Sequence, residues 1–249
     1  MKRAADARSE PAEATPAAKR QAASKLGPSP TLLDHFPVTH VPRVPSPICA
    51  SDPITDRRST FVAHAAPVTT PVGAIQFQNH VRHLRADRTH PREAEHEIYA
   101  ARFLSLRPGK EGTDQNDWTV KITGEDDGEK GGSNAIKKVL ERTVAVDICV
   151  VVSRYYGGIL LGQDRFAHIQ NVAEQAITRL QQAIEIKELV KQIEALDDKI
   201  HALLKDKAPS LAPDYSNLDL ARARRLVLAR TKRLGVLEAK HAAPGDDQP

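Results

Sequence analysis

The sequence has few cysteines, few aromatic residues and no long apolar run. Two cysteines, Cys49 and Cys149, cannot build a disulfide framework or a four-ligand zinc site. No apolar stretch reaches the ~18 residues of a membrane span, and the N-terminus lacks the apolar segment of a signal peptide. Aromatic residues make up 4% of the chain, and 17 of its 249 residues are proline. These absences predict a cytoplasmic protein, away from membranes, with a modest core and disordered extensions.

The overall charge is mildly basic. The formal net charge is +4 and the pI is about 9.1. This excess permits contact with RNA or ribosomes without requiring it, because a bound nucleic acid responds to local patches of charge. Two basic pairs, Lys2-Arg3 and Lys19-Arg20, leave a nuclear localisation signal open. No cofactor motif and no metal-ligand spacing occurs, so neither a cofactor nor a metal is predicted.

Composition and periodicity divide the chain into four parts. Residues 1–55 are rich in Ala, Pro and Ser and predict a disordered tail. Residues 56–183 carry the patterns of one folded domain, residues 184–240 those of a helical hairpin or coiled coil, and residues 241–249 form a second disordered tail. The short apolar patch Leu32–Phe36 in the first tail is either a docking motif or a segment that packs on the folded domain.

The folded domain alternates strand and helix patterns. Period-two alternation or β-branched runs predict strands at residues 59–66, 96–104, 118–123 and 146–153. Apolar residues at spacings of three and four predict helices at residues 71–86, at residues 135–142 and from residue 164 onward. This order predicts an α+β fold, a two-layer sandwich with helices on one face of a sheet.

Heptad-like spacing continues beyond the domain. Leu189, Ile193, Leu196, Ile200 and Leu203 follow each other at spacings of four and three, as in a coiled-coil seam. Prolines then interrupt the pattern before a last helix, which predicts an antiparallel helical hairpin. The last helix is basic and suits either a solvated surface or the phosphates of RNA or the ribosome; its cations are Arg222, Arg224, Arg225, Arg230, Lys232 and Arg233.

The most specific segment is VVVSRYYGGILLGQDRF, from Val150 to Phe166. Gly157 and Gly162 have the spacing of a phosphate-binding loop. Gln163 and Asp164 stand where such a loop needs Lys and Ser or Thr, so the cation for the phosphates is missing and nucleotide hydrolysis is not expected.

This segment resembles the signature of the IMPACT family, including its eukaryotic LG-x-D-R-F continuation. Three shorter segments also resemble family motifs and occur in the family's order: STF at residues 59–61, AEHEIYAAR at residues 94–102 and DDGE at residues 126–129. The match departs after DDGE, where this chain has KGGSNAI with a charged Lys130.

The resemblance implies a sheet covered by helices, similar to a ribosomal-protein domain. It also implies a non-catalytic regulator that binds the ribosome-associated activator of the general-control eIF2α kinase and restrains the amino-acid starvation response. Because only about 55 residues precede the matched segment, the chain resembles a short form without the N-terminal RWD domain. The candidate binding surface comprises His96, Arg102, Asp126, Asp127, Glu129, Arg154, Tyr155, Tyr156, Gly157, Gly158 and Arg165.

Several of these residues have more than one interpretation. The acidic cluster of DDGE suits a divalent metal or an ordinary acidic turn. His96 suits a structural hydrogen bond or a general base, and the arginines suit either a bound anion or internal ion pairs. Two further functions therefore stand beside the regulator: an RNA- or ribosome-binding module without a role in kinase control, and a small-molecule enzyme, which lacks a recognisable nucleophile.

Overall fold

The computed structural model describes residues 45–84, 93–204 and 214–242. Its strands are β1 (Cys49–Ala50), β2 (Ile54–Asp56), β3 (Ser59–Pro67), β4 (His96–Leu106), β5 (Trp118–Glu125) and β6 (Ile148–Tyr155). Its helices are α1 (Pro71–Leu84), α2 (Gly132–Arg142), α3 (Asp164–Leu204) and α4 (Leu220–Ala242), with a 3-10 turn at Gln115–Asp117. The predicted order of strands and helices in the domain is confirmed.

The six strands form one antiparallel sheet in the order β1-β3-β6-β4-β5, and β2 also pairs with β3. β6 is central, between β3 and β4, and all eight of its residues are buried. Its run of β-branched side chains suits a strand that is covered on both faces. Since His96 pairs with Arg154 and Thr60 pairs with Tyr155, the start of β4, the start of β3 and the end of β6 meet at one end of the sheet.

Each face of the sheet has its own core. On one face, Val150 packs in a cluster with Ile136 of α2 and Ile169 of α3. On the other face, Val151 packs in a cluster with Phe77 of α1. The α+β class is confirmed, and the placement of helices on a single face holds for α2 and α3 but not for α1. The physical reason lies in β6: neighbouring side chains of a strand point to opposite faces, and both sets are apolar here, so both faces need a cover.

The strands begin before the predicted boundary at residue 55. Cys49–Ala50 and Ile54–Asp56 pair with β3. Their attachment depends on tertiary contacts such as the bond from the Ala63 amide to Ser51 Oγ at 2.9 Å, which a Pro-rich composition does not reveal. The patch Leu32–Phe36, the rest of the first tail up to residue 44 and residues 243–249 lie outside the described residues.

The predicted pair of C-terminal helices is present, but the antiparallel direction predicted for it is wrong. α3 is one continuous helix of 41 residues. Arg224 pairs with Glu185, Arg230 with Asp197, and His241 with the carbonyl of Leu203, so positions along α4 advance together with positions along α3. The two helices are therefore parallel.

The segment that leads into α4 makes this direction possible. Tyr215 donates a hydrogen bond to Asp197 at 2.5 Å, whereas Arg224, nine positions later, reaches Glu185. The chain from residue 215 to the start of α4 therefore runs back along α3 before the last helix begins. Heptad spacing defines an apolar seam for either direction, so the sequence pattern did not determine which one forms.

Among the described helices, none combines the length and the apolar character that a membrane crossing requires.

Candidate functional site

The DDGE turn connects β5 to α2, and its first carboxylate holds the start of that helix. Asp126 accepts hydrogen bonds from the amides of Gly131 at 2.9 Å and Ser133 at 2.8 Å, two N–H groups that lack a partner within the helix. Burial works to raise the pKa of Asp126, but the hydrogen bonds from Ser133 and Gly131 outweigh it and hold the pKa below its ordinary value. Asp126 therefore acts as a helix cap.

Asp127 ties the turn to the sheet and to α1. It has a left-handed backbone (φ 44°), and its carboxylate accepts from the Glu97 amide at 2.7 Å and pairs with Arg82 at 2.9 Å. Its carbonyl lies 2.8 Å from Nδ1 of His96. Because a carbonyl oxygen only accepts, Nδ1 carries the proton, and Nε2 lies 3.9 Å from Glu129 Oε2. His96 thus has a structural hydrogen bond.

Glu129 lies between two arginines at the end of β6. Its side chain is 5% exposed, and its Oε2 contacts the Arg154 guanidinium, which is 8% exposed. Its Oε1 lies 2.6 Å from Nε of Arg165. The N–H of Arg165 is not aligned for a hydrogen bond to this oxygen, so the second contact is ionic. One buried carboxylate thus neutralises part of two guanidinium charges, and it connects the DDGE turn to the start of α3.

Aromatic rings support both guanidinium groups. The Arg154 guanidinium carbon lies 5.6 Å from the ring centroid of Phe61 and 5.4 Å from that of Tyr156. The Arg165 guanidinium carbon lies 4.4 Å from the ring centroid of Phe166, the next residue along α3. Such cation–π contacts hold the charged groups in place on a rigid base.

The structure brings together most of the predicted surface, but not all of it. The residues that meet at this end of the sheet are His96, Asp126, Asp127, Glu129, Arg154, Tyr156 and Arg165. Arg102 does not join them, because it lies six residues further along β4, about 20 Å away, and donates to the Ala145 carbonyl at 2.8 Å. Tyr155 is buried, and the alternation along β6 turns it to the opposite face from Arg154.

The two adjacent glycines serve different purposes. A Cβ on Gly157 would lie 2.1 Å from the carbonyl carbon of Arg58, so only glycine permits this close approach of two backbones. Gly158 has nothing within 4 Å of such a Cβ, but its φ of 85° favours glycine. Gly157 thus allows the loop to pack against the turn before β3. Gly158 provides the left-handed backbone conformation at the next position.

The sequence interpretation missed the apolar tip of this loop. Leu160 is 82% exposed, the largest value among the large hydrophobic residues that the structure describes, and Ile159 is 42% exposed. Leu161 is 3% exposed and anchors the loop in the core. Three successive apolar residues between glycines were the available signal, since a loop has no packing reason to keep all three.

Within the ranges that the structure describes, no three His, Cys, Asp or Glu side chains are grouped to hold a metal ion. All three carboxylates of the DDGE turn are instead engaged by amides or arginines. The arrangement can present a rigid surface to a partner, with the Tyr156 ring against the partly neutralised Arg154 and Leu160 exposed on the loop that follows.

Comparison with known proteins finds relatives for the part of the chain that contains this site. Residues 57–177 match the model of the Impact N-terminal domain. The chain is 36% identical over 146 residues to Protein IMPACT of Xenopus laevis, covering 59% of this chain and 43% of that protein. It is 39% identical over 131 residues to Protein IMPACT of Homo sapiens, covering 53% and 37%. The chain thus spans less than half the length of these relatives.

A solved structure of the two-domain translational regulator Yih1 is 31% identical, with a TM-score of 0.32, and the match covers 66% of this chain and 58% of that one.

Proposed function

Because residues 57–177 match the model of the Impact N-terminal domain, we propose that this protein is a non-catalytic, cytoplasmic regulator of translation. In this proposal it binds the ribosome-associated activator of the general-control eIF2α kinase and restrains the response to amino-acid starvation, as the family resemblance implies. The loop from Gly157 to Gly162 provides the contact.

The observation that supports a binding role is the exposure of Leu160 on a rigid base. Protein interfaces concentrate their energy in a few apolar or aromatic anchors that a partner buries completely. Leu160 is 82% exposed, whereas Leu161 is buried and Arg154 is fixed by Glu129. A preorganised loop of this kind loses little conformational freedom when a partner covers it.

Binding is favoured over catalysis by the engagement of the polar groups. A general base needs an available lone pair and a pKa suited to the task. Asp126 caps a helix, Asp127 holds the Glu97 amide, and Glu129 is paired with two arginines. The same pairing reduces the capacity of these arginines to take up a phosphate, so a protein partner suits this surface better than a nucleic acid.

The test is a pull-down from the extract of amino-acid-starved cells with the full chain as bait. Leu160→Ser removes the anchor from an exposed position and leaves the core unchanged. The matched control is Leu228→Ser, which changes another exposed leucine (57%) on α4. We expect nuclease-resistant recovery of the activator with wild type and Leu228→Ser, and at least a roughly five-fold lower recovery with Leu160→Ser. Equal recovery with all three proteins, or none with wild type, would contradict the proposal.

A second candidate is RNA or ribosome binding through α4. Arg224 and Arg230 are paired with Glu185 and Asp197 of α3. The other cations of α4 form no ion pair with another described residue, and they are all exposed: Arg222, Arg225, Lys232, Arg233 and Lys240. Their positions keep helical spacing on the side away from the seam, which gives a continuous basic stripe.

Salt dependence tests this second candidate. Each phosphate contact contributes about −0.9 to the slope of log K against log salt on a duplex and about −0.7 on a single strand. In a filter-binding titration of RNA against salt, Arg225→Ala with Lys232→Ala should reduce the slope by about 1.5. Leu160→Ser should leave the slope unchanged. A slope that is the same in wild type and the double variant would remove α4 as an RNA-binding surface.

A further inference from the structure

A cavity of about 390 Å³ opens at the end of the sheet where β6 begins, far from Arg154 near the other end of that strand. Leu104 of β4 and Trp118 of β5 line it together with Asp147, which directly precedes β6, and Thr69, between β3 and α1. The volume lies within the range of about 300–1,000 Å³ that is usual for ligand pockets. The cavity therefore has room for a side chain of a binding partner.

Asp147 supplies the charge of this cavity. One of its carboxylate oxygens accepts a hydrogen bond from the Leu104 amide at 3.0 Å. The other three lining residues are uncharged, and no cation of the described ranges forms an ion pair with this carboxylate. A carboxylate that is partly covered in this way favours a cation from outside, because a neutral occupant would remove water from it without replacing the lost interaction.

The basic residues around this end of the sheet are engaged elsewhere. Arg102 and Arg107 each donate to a backbone carbonyl, at 2.8 and 3.3 Å. Lys110 pairs with Asp117 at 3.5 Å. None of these cations lines the cavity, so the Asp147 carboxylate keeps its capacity to bind one.

The indole of Trp118 forms a fixed wall of the cavity. Its Nε1 donates to the Gly112 carbonyl at 3.3 Å. A Cβ on Gly112 would lie 3.0 Å from Cζ2 of the indole, so the backbone of this loop packs against the ring. Trp118 is nevertheless 40% exposed. A ring that is held on one part and open on another loses little conformational freedom when a ligand covers it.

The apolar side of β5 continues from the cavity. Val120 and Ile122 lie on the same side of the strand as Trp118, two and four positions further along, and are 45% and 38% exposed. Leu104, directly opposite Val120 in the register, is 42% exposed. One carboxylate thus stands beside a continuous apolar and aromatic surface.

We propose that this cavity binds an arginine side chain of a partner polypeptide, whose neighbouring apolar residues cover Leu104 and Val120. The guanidinium lies on the indole of Trp118 and donates to Asp147. Arginine suits this pair better than lysine, because its planar cation stacks on aromatic rings and is more weakly hydrated. Tryptophan is also the most favourable ring for a cation–π contact.

Asp147→Asn removes the charge and keeps the structural role of this residue. The amide oxygen of asparagine accepts from the Leu104 N–H as the carboxylate does, and asparagine tolerates the left-handed φ of 58°. The matched control is Glu125→Gln, which removes one negative charge from an exposed position at the other end of β5. Circular dichroism and thermal unfolding show whether both variants fold like wild type.

The fluorescence of Trp118, the one tryptophan in the sequence, reports directly on the cavity. The probes are capped tripeptides with leucine on both sides of arginine, lysine or citrulline, the last being the uncharged isostere of arginine. Titrated against the full chain to about 20 mM, the arginine peptide should give a saturable change with a Kd on the order of 1 mM. The citrulline peptide should bind at least about five-fold more weakly, and the lysine peptide should also bind more weakly than arginine.

Asp147→Asn should bind the arginine and citrulline peptides with equal, low affinity, whereas Glu125→Gln should keep the preference of wild type for arginine. A change in emission that does not saturate with wild type, or equal affinity of wild type for arginine and citrulline, would overturn the proposal without reference to any variant. Asp147→Asn that folds and still prefers arginine over citrulline would overturn it too. A lysine peptide that binds wild type at least as tightly as the arginine peptide would overturn the choice of arginine.

Discussion

Glu129 and Arg154 form an ion pair inside the protein, although they lie 25 positions apart in the chain. Their side chains are 5% and 8% exposed. The pair joins the DDGE turn to the end of the central strand, and Arg165 adds the start of α3. It fixes the base of the exposed loop, and for this reason substitutions at Leu160 test binding more cleanly than substitutions at Arg154.

Glu129→Gln should destabilise the fold by about 3 kcal/mol, because it leaves the buried Arg154 charge without its counterion. Urea unfolding followed by circular dichroism measures this change. Adding Arg154→Met to Glu129→Gln should recover part of the loss, since the uncompensated charge is then removed. A double variant less stable than the sum of the two single changes would contradict this account.

The cap at Asp126 predicts a dependence of stability on pH. Its folded pKa lies below the ordinary 3.8, so its contribution is present above pH 3.8 and is lost as pH falls through the folded pKa. At neutral pH, Asp126→Asn should cost about 1 kcal/mol, because the two carboxylate oxygens accept one amide each and an asparagine side chain has a single acceptor oxygen. The difference in unfolding free energy between wild type and variant should shrink as the pH falls toward about 2. A difference that stays constant would show that the carboxylate charge does not contribute.

The two glycines of the loop should differ in tolerance. Gly157→Ala forces a Cβ against the Arg58 backbone and should cost about 3 kcal/mol, because neither backbone can move freely. Gly158→Ala meets open space and should cost about 1 kcal/mol for its left-handed conformation. Thermal unfolding of both variants measures the order. Equal costs would contradict the close approach at Gly157.

Parallel packing of α3 and α4 can be measured with pairs of spin labels. Cys49 is replaced by serine, and Cys149 is fully buried. Labels at Lys187 and Arg225 should be close, whereas labels at Lys187 and Lys240 should be separated by about 20 Å more along the helix axis. Pulsed electron resonance gives both distances. The reverse order would indicate an antiparallel pair.

The sequence allowed the elements and the fold class to be predicted, because hydrophobic periodicity is local. The alternation before Pro67, the β-branched run of β6 and the helix that begins at Pro71 all agree with the structure. The motif segment Val150–Phe166 also indicated where the glycine-rich loop would lie. These properties depend on neighbouring residues and on the intrinsic preferences of each side chain.

Other properties depend on contacts between distant residues. Local patterns contain no information on which end of β4 approaches Arg154, so Arg102 was grouped with His96. They also could not separate Tyr155 from Arg154, because the two faces of β6 are both apolar. The exposure of Leu160 and of Val120 was likewise hidden, since it depends on where the helices end.

The sequence by itself thus determined the order of strands and helices, the α+β class and the position of the glycine-rich loop, because these follow from spacing and side-chain type. The tertiary structure decided the burial of Glu129 between Arg154 and Arg165, the parallel course of α4 and the open apolar side of β5. The reason is physical: burial and charge pairing arise only when segments that are far apart in the chain pack together.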